Sequence, residues 1–405
     1  MVVEIQINNS SSAGARYLTW APSPCRIRVT NPAGVPAPIV NLRISSTSAA
    51  GGGRVMVRER PTDAWANTIL LHVPTNGTSV RFFTAGRFGS PSRNDRDVTI
   101  EARRGNTVVG SVRVMVRIRK NANALTSGER DRLVAAFAQL NNQGMGRFAD
   151  FRDMHTAVSS SQAHGAKGFL PWHRAYLLDL ERELQNIDAS IALPYWRFDQ
   201  PSPNIFTSQF FGVSDAMGTV SFSPTNPLQF WVTDGVPGIN RRPFFNTANA
   251  PPGLRTEAQT IALGAVYPAF RTMEGNPHGS AHVSFGGVIS SVPTAARDPL
   301  FFLLHCNVDR LWAKWQLQNG RFNPAVAASY DAAAAPLGHN LPDTMWPWNG
   351  VTGGTRPPTA PGGAMASSPC ATAPGGQPQV QQMLDYHGSL NAASRMGFDY
   401  DDVAF

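Results

Sequence analysis

The sequence predicts two parts with different folds: an all-β sandwich over residues 1–120, followed by a mainly α, four-helix-bundle core with long loops over residues 121–405. Apolar and polar residues alternate with period two before Lys120, as they do in half-buried strands. After Lys120, apolar residues recur at helical spacing, and loops rich in proline, glycine and asparagine separate the helices. With 405 residues and 42% hydrophobic content, the chain is long enough for two domains.

The strand segments of residues 1–120 are short and are separated by turn sequences. The alternating segments are CRIRVT, RVMVRER, SVRFFT, DVTIEARR and SVRVMVRIRK, with turns such as PTNGT and RRGNT between them. Such a pattern favours an antiparallel, immunoglobulin-like sandwich. The cysteine pair and the tryptophan of antibody domains are not identifiable, so the strand order stays open. Binding of a carbohydrate, a protein or a polyanion is an alternative to a purely structural role for this domain.

The positive charge of the chain is concentrated in the predicted β domain. The whole chain carries +8, and residues 1–120 hold 17 Arg and Lys against 6 Asp and Glu. A basic domain can attract nucleic acid. However, only 3 of the 35 basic residues are lysines, and no dense basic run with interleaved aromatic residues occurs. We therefore expect arginines on the wet face of a sheet and no nucleic-acid partner.

Several features bear on the cellular context. No run of about 18 apolar residues occurs, so we expect no membrane partner. The three cysteines are too few and too scattered for a disulfide framework. The first residues show no secretory signal, so we expect a cytoplasmic location, with export together with a partner protein as the alternative. The sequence leaves the oligomeric state open.

The predicted helical core begins with a capping pattern and is interrupted near its end. Thr126 or Ser127 offers a cap with Glu129 in the first turn, and ERDRLVAAFAQLNN then shows helical spacing. Residues 345–380 are rich in proline, glycine and alanine, which predicts an irregular surface segment.

Six of the nine histidines form two groups of three with metal-site spacing: His155, His164 and His173, then His278, His282 and His305. Three imidazoles per ion suit copper, zinc, iron or nickel and leave coordination positions open. A lone histidine on an apolar helix, such as His305, is more often a satisfied core residue, but the pair His278 and His282 at i, i+4, preceded by Glu274, favours a metal site. Two neighbouring sites without carboxylate or thiolate ligands favour a pair of copper ions that bind dioxygen, whereas a zinc hydrolase is a weaker alternative.

The spacing within each group predicts its supporting elements. Successive histidines of the first group are nine residues apart, which would place them on opposite faces of one helix. We therefore expect His155 at a helix end, His164 on a loop and His173 in the opening of the next helix. His278 and His282 are four residues apart and share one helix face, while the apolar flanks of His305 predict a buried helix. Helices of a bundle would then hold both ions.

The residues around the histidines resemble the type-3 copper proteins, specifically tyrosinase and catechol oxidase (polyphenol oxidase). HGAKGFLPWHRAYLLDLEREL resembles the first-copper motif, NPHGSAH with DPLFFLLHCNVDRLWAKWQ resembles the second, and LPYWRFD resembles the segment between them. The resemblance implies a dicopper catalytic domain whose two groups of histidines each bind one copper. It also implies an oxidase that uses dioxygen on a small phenolic substrate.

The same resemblance assigns roles to six further residues. It implies that Asp309 and Asn307 lie behind the ligands, where Asp309 either holds an imidazole or forms a surface ion pair with Arg310 or Lys314. Phe169 and Phe301 are expected to wall the site, and a place in the apolar core is the alternative for either. Relatives that hydroxylate monophenols carry a Glu and an Asn that hold a water near the second copper. Glu274 supplies that Glu, but Gly279 stands where the Asn would be.

The implied activity is oxidation of o-diphenols (catechols) to o-quinones, with weaker activity on monophenols or o-aminophenols. Gly279 cannot fix a water with a side chain, which is why we expect weak monophenol hydroxylation. The alternative is a haemocyanin-like protein that binds dioxygen reversibly. No cysteine lies near His164, so we expect no thioether to that ring. We expect structural or surface roles for His72, His339 and His387.

Overall fold

The computed structural model describes residues 1–31, 38–141, 146–156, 160–350 and 363–405. The chain divides into two compact units. Unit 1 contains residues 1–118, 368–372 and 387–405. Unit 2 contains residues 119–367 and 373–386, and it holds all six histidines of the two groups. Part of the predicted surface segment at 345–380, residues 351–362, lies outside the described residues.

Unit 1 contains two sheets whose inward side chains form one apolar core. In its third strand Cys25, Ile27 and Val29 are buried while Arg28 is exposed, as the period of two requires. One sheet has the order β1-β3-β7-β5 and the other β2-β9-β8-β4-β6. The strands are β1 (Val2–Ile7), β2 (Tyr17–Leu18), β3 (Ser23–Thr30), β4 (Ile39–Ser48), β5 (Val55–Arg58), β6 (Thr68–Pro74), β7 (Val80–Gly86), β8 (Val98–Arg104) and β9 (Thr107–Val116).

The prediction of an immunoglobulin-like domain that simply precedes the core was wrong. β2 pairs with β9 in parallel, and the end of the chain belongs to the same unit. The carboxylate of Asp399 accepts a hydrogen bond from the backbone N–H of Trp20, and the Trp20 ring donates to the carbonyl of Tyr400. Alternation identifies a strand and its buried face, but it does not report which distant segments pair or cover that strand.

Unit 2 combines three long helices with many short elements. Its helices are α1 (Ser127–Asn141), α2 (Phe148–Met154), α3 (Ser160–Ala163), α4 (Phe169–Ile187), α5 (Glu257–Ile261), α6 (Tyr267–Phe270), α7 (Ser280–Val283) and α8 (Leu300–Asn319). Its strands are β10 (Val213–Ser214), β11 (Val220–Ser221), β12 (Val232–Thr233), β13 (Val236–Pro237), β14 (Arg241–Pro243) and β15 (Phe285–Gly287). Within the described ranges, no helix has the length and apolar composition needed to cross a membrane.

The prediction of a mainly α four-helix bundle was also wrong. The molecule is 30% helical and 23% strand, with several sheets. Among the described helices only α1, α4 and α8 exceed eight residues, at 15, 19 and 20 residues. The GNPHG sequence turns the chain before α7, where a long bundle helix would be required. Two of the six histidines lie on long helices, and the others lie at a helix end, on a loop, in a π-type turn and in a one-turn helix.

α4 and α8 pack against each other at the centre of unit 2 and carry buried charges. Arg119 donates to the carboxylate of Glu181 on α4 (Nη2 to Oε2, 2.7 Å) and to that of Asp309 on α8 (Nη1 to Oδ2, 3.2 Å). Arg174 on α4 donates to the other oxygen of Asp309 through Nε (2.6 Å). All four side chains are at most 2% exposed. Because each charge is paired, the two helices can stay buried in a fixed register.

Candidate metal centre

The first group of histidines converges from three separate elements. His155 directly follows α2, His164 lies on the loop after α3, and His173 is in the first part of α4. This arrangement confirms the layout that the nine-residue spacing predicts. Nε2 of His155 and Nε2 of His164 are 3.3 Å apart, and one nitrogen from each of the three rings lies within 4.8 Å of the others.

The second group is more compact. His278 lies in the π-type turn Gly275–Gly279, His282 follows one turn later in α7, and His305 lies in α8. The Nε2 atom of His305 is 3.3 Å from Nε2 of His278 and 3.1 Å from Nε2 of His282. The pair at i and i+4 therefore shares one face of a short helical stretch, with ring centroids 4.8 Å apart.

Backbone carbonyls orient four of the six rings. Nδ1 donates in each case: His155 to Val292 (3.1 Å), His173 to Phe169 (2.9 Å), His278 to Glu274 (2.7 Å) and His282 to Ile289 (2.8 Å). A carbonyl can only accept, so Nδ1 carries the proton and Nε2 presents a lone pair to the centre of its group. Such outer hydrogen bonds fix the tautomer and the direction of a metal-binding imidazole.

The converging Nε2 atoms of the two groups fit a metal pair. In the described part of the chain, Nε2 of His173 and Nδ1 of His164 and of His305 are buried without a hydrogen bond. Buried polar atoms are almost always satisfied, so such orphans require an explanation. Neutral imidazole lone pairs within 3.3 Å of each other are also poorly matched to one another. Two all-imidazole donor sets fit two copper ions, which would take up the Nε2 lone pairs of both groups, that of His173 included. The Nδ1 atoms of His164 and His305 are not explained in this way, because these rings present Nε2 to their groups.

The two groups face each other and share aromatic walls. The rings of His173 and His305 stack with centroids 4.2 Å apart and an interplanar angle of 11°. Phe169 lies 4.8 Å from both His173 and His278, measured between centroids. Phe301 lies 4.1 Å from His305 and 4.6 Å from His155. Each phenylalanine therefore contacts both groups, so the two metal positions form one centre enclosed by apolar rings.

Burial keeps the six imidazoles neutral. Desolvation, followed by the neighbouring imidazoles, lowers the pKa of His155, His173, His278 and His305 well below the usual value of 6.5. Burial also lowers the pKa of His164 and of His282, each to about 4. The neutral form is the one that binds a metal ion, so the folded protein holds all six side chains in the state that copper requires.

Glu274 lies beside the centre, but its carboxylate has partners. Its backbone carbonyl holds His278, while Oε1 accepts from the backbone N–H of Gly165 (2.5 Å) and Oε2 accepts from Arg271 (3.2 Å). Burial raises the pKa of this carboxyl, and these two donors partly oppose that effect. Gly279 has an ordinary helical backbone, and a Cβ there would lie 3.3 Å from the carbonyl oxygen of Glu274.

The residues expected behind the ligands stabilise the helices that carry them. Asp309 accepts from Arg174, next to His173, and from Arg119, while Nδ1 of His305 has no partner. Asp309 is only 2% exposed, so it does not lie at the surface, and Arg310 and Lys314 both pair with Glu257. Asn307 is fully buried and accepts from Arg310 (3.0 Å).

The remaining histidines and the cysteines do not join either group. His72 contacts Asn41 in unit 1, and the His387 ring lies 2.8 Å from a carboxylate oxygen of Asp399. Cys25, Cys306 and Cys370 are buried and form no disulfide among the described residues.

Sequence reasoning missed the segment that links the two groups. The carbonyls of Ile289 and Val292 hold His282 of the second group and His155 of the first. Backbone carbonyls carry no side-chain signal, and Val292 is 137 residues from His155 in the chain. No motif in the sequence could have indicated this contact.

Comparison with known proteins agrees with this geometry. The common central domain of tyrosinase matches residues 145–318. The tyrosinase of Streptomyces glaucescens is 33% identical over 264 residues, covering 57% of this chain and 92% of the relative. That of Streptomyces antibioticus is 31% identical over 267 residues, covering 58% and 94%. A functional unit of octopus haemocyanin is 22% identical with a TM-score of 0.48, covering 72% of this chain and 69% of that one.

Proposed function

Because this chain belongs to the tyrosinase family of type-3 copper proteins, we propose that it oxidises o-diphenols to o-quinones and hydroxylates monophenols only weakly. Members of this family are copper oxidoreductases. The six histidines would hold two copper ions, which would supply dioxygen binding and electron acceptance. In the overall reaction, two catechols give up four electrons and four protons to one dioxygen, which becomes two waters. The substrate preference is the part that depends on this chain's own residues.

The walls of the centre favour a flat aromatic substrate. Phe169 and Phe301 are fully buried and contact rings of both histidine groups. Aromatic side chains bind another ring through stacked or edge-to-face contacts and exclude water from it. They would hold a phenol ring beside the metals.

The observation that carries the substrate preference concerns Glu274 and Gly279. A monophenol must lose its phenolic proton and gain an oxygen atom, so a free base or a fixed water is useful. The Glu274 carboxylate already accepts from the N–H of Gly165 and from Arg271, and Gly279 has no side chain to fix a water. An o-diphenol needs only to be oxidised. A centre without a free base or a fixed water is sufficient for that reaction.

The test is oxygen uptake by the copper-loaded protein with matched monophenols, o-diphenols and o-aminophenols. We expect turnover of catechols and a monophenol rate at least about 100-fold lower, the usual contribution of a positioned base. Comparable rates on both substrates would refute the preference. Spectroscopic dioxygen binding without turnover of any phenol would instead favour the haemocyanin-like alternative.

Replacement of Gly279 tests the structural reason for that preference. Gly279→Asn should raise the monophenol-to-diphenol rate ratio about tenfold, because an amide could fix a water beside Glu274. Gly279→Ala is the matched control: it adds the same Cβ, 3.3 Å from the carbonyl oxygen of Glu274, without the amide. An unchanged ratio in the Asn variant, or an equal rise in both variants, would contradict the argument.

A further inference from the structure

The loop that carries His164 is the least regular support of the centre. His164 follows the one-turn helix α3 and precedes α4, and the residues between these helices form no regular element. Its Nδ1 atom has no hydrogen-bond partner among the described residues, unlike the four rings that a carbonyl orients. Something other than its own hydrogen bond must therefore fix the position of this ring.

His339 joins the two ends of this loop. Its Nε2 atom donates to the carbonyl of Ser161 (2.9 Å), and its Nδ1 atom accepts from the backbone N–H of Gly168 (3.2 Å). One neutral tautomer satisfies both contacts, because it has one donor and one acceptor. The side chain is 2% exposed, so both hydrogen bonds are protected from water. The two bonds bracket His164, three residues after Ser161 and four before Gly168.

The position of His339 is itself fixed. Its carbonyl accepts from the Tyr330 hydroxyl (2.9 Å), and the N–H groups of Gly338 and Asn340 donate to Asp343 (2.9 and 3.0 Å). The imidazole therefore projects from a preorganised turn.

Other contacts join this turn to the loop. Gln162 donates to the carbonyl of Leu337 (3.2 Å) and accepts from the N–H of Trp346 (3.1 Å). The Lys167 ammonium donates to the carbonyl of Asp331 (2.9 Å). Residues 330–346, which we call the clamp segment, thus contact the loop on both sides of His164.

The fit between the loop and the clamp segment leaves no room for additional atoms. A Cβ on Gly168 would lie 2.7 Å from Nδ1 of His339 and 3.0 Å from the carbonyl oxygen of Gln162. Gly338 has a φ of +92°, and a Cβ there would lie 2.4 Å from the Gln162 side chain. Glycine is therefore needed at both positions for the two segments to approach.

We propose that His339 is a positioning residue for the first copper site, which holds the loop so that His164 points at the metal. It does not bind the ion. The second site has no comparable dependence, because a helical turn and α8 carry its ligands. The proposal rests on copper binding by the first group and not on which phenol is oxidised. Outer residues of this kind typically change metal affinity 10–100-fold.

The central experiment compares His339→Leu with the parent protein. In copper-free protein, we expect amide hydrogen exchange of residues 161–168 to become at least about tenfold faster, because Gly168 loses its acceptor. After dialysis against a chelator, copper should fall from two ions per chain toward one. The remaining isolated Cu(II) ion should give an electron paramagnetic resonance signal of about one spin per chain, whereas a coupled pair is silent.

Three further variants separate positioning from general damage. His339→Gln keeps one donor and one acceptor and should restore at least half of the lost copper. Gly168→Ala keeps His339 but displaces it, so it should reproduce the loss even if His339→Leu fails to fold. His72→Leu removes an exposed histidine of unit 1 and should retain two copper ions. Two copper ions held at parental affinity in Gly168→Ala, or equal loss from both sites in a folded His339→Leu variant, would overturn the proposal.

Discussion

The two histidine groups are chemically alike but are supported in different ways. In the second group, His278 and His282 lie one helical turn apart, and the carbonyl that holds His278 is only four residues away. In the first group, the three rings come from a helix end, a loop and a helix, and the contact that orients His155 spans 137 residues. A local helical repeat can thus prepare one metal site, while the other depends on distant segments of the fold.

Some supports are common to both groups. Asp309 links α8, which carries His305, to Arg174 beside His173 on α4. The segment from Ile289 to Val292 holds one ring of each group. A change in a shared support should affect both sites, whereas a change in the clamp segment should affect only the first. Three predictions use this contrast, in order of decreasing expected effect.

The largest effect is expected from Asp309→Ala. It removes a buried carboxylate that accepts from Arg119 and Arg174, and breaking a buried ion pair typically costs about 3–5 kcal/mol. Urea unfolding of the copper-free protein should show this loss, and copper should be lost from both sites. Asp309→Asn keeps an acceptor without the charge. Its stability and copper content should lie between those of Asp309→Ala and those of the parent protein. Loss of only one copper with unchanged stability would show that the helices do not share this support.

The second prediction concerns acid stability of the copper-free protein. The pKa of His164 and that of His282 are lowered to about 4, so the unfolded chain binds protons below about pH 6.5 while the folded chain does not. Stability is therefore full above pH 6.5 and falls toward pH 4, by about 1.4 kcal/mol per pH unit for each such histidine.

Melting temperature against pH should become equally less steep in His164→Gln and His282→Gln. Equal changes would show that the electrostatics of the two groups match although their supports differ. A flat profile in the parent protein would contradict the argument.

The smallest effect is expected from Thr294→Val. The Thr294 hydroxyl donates to the carbonyl of Val288 (2.7 Å) and stabilises the segment that holds His282 and His155. Its loss should cost about 1 kcal/mol and weaken copper binding about fivefold at both sites. Thr260→Val, which removes a similar bond to the carbonyl of Thr256 on α5, serves as the control. Weaker copper binding at one site alone would show that this segment does not support both sites.

Local sequence patterns predicted the local structure well. The Thr126–Glu129 capping box is present at the start of α1, with hydrogen bonds in both directions. The nine-residue spacing placed His155, His164 and His173 on three elements, and the i, i+4 pair shares one helical stretch. Periodicity and capping are set by neighbours within a few residues, and for that reason the sequence alone could predict them.

The architecture could not be predicted in the same way. The short helices and hairpins of unit 2 replaced the expected bundle, and the last residues of the chain completed unit 1. One partner of the Glu274 carboxylate, the N–H of Gly165, comes from 109 residues away. Backbone groups of this kind are identical in every residue, so only folding decides which of them meet.

The sequence by itself determined the chemistry of this protein: six imidazoles in two groups, with no carboxylate or thiolate among them, and a glycine at position 279. Those features depend on side-chain identity and on short spacings. The tertiary structure decided how the histidines are held, through carbonyls, buried ion pairs and the imidazole of His339. The physical reason is that a ligand's identity is local, while its orientation depends on hydrogen bonds that span the chain.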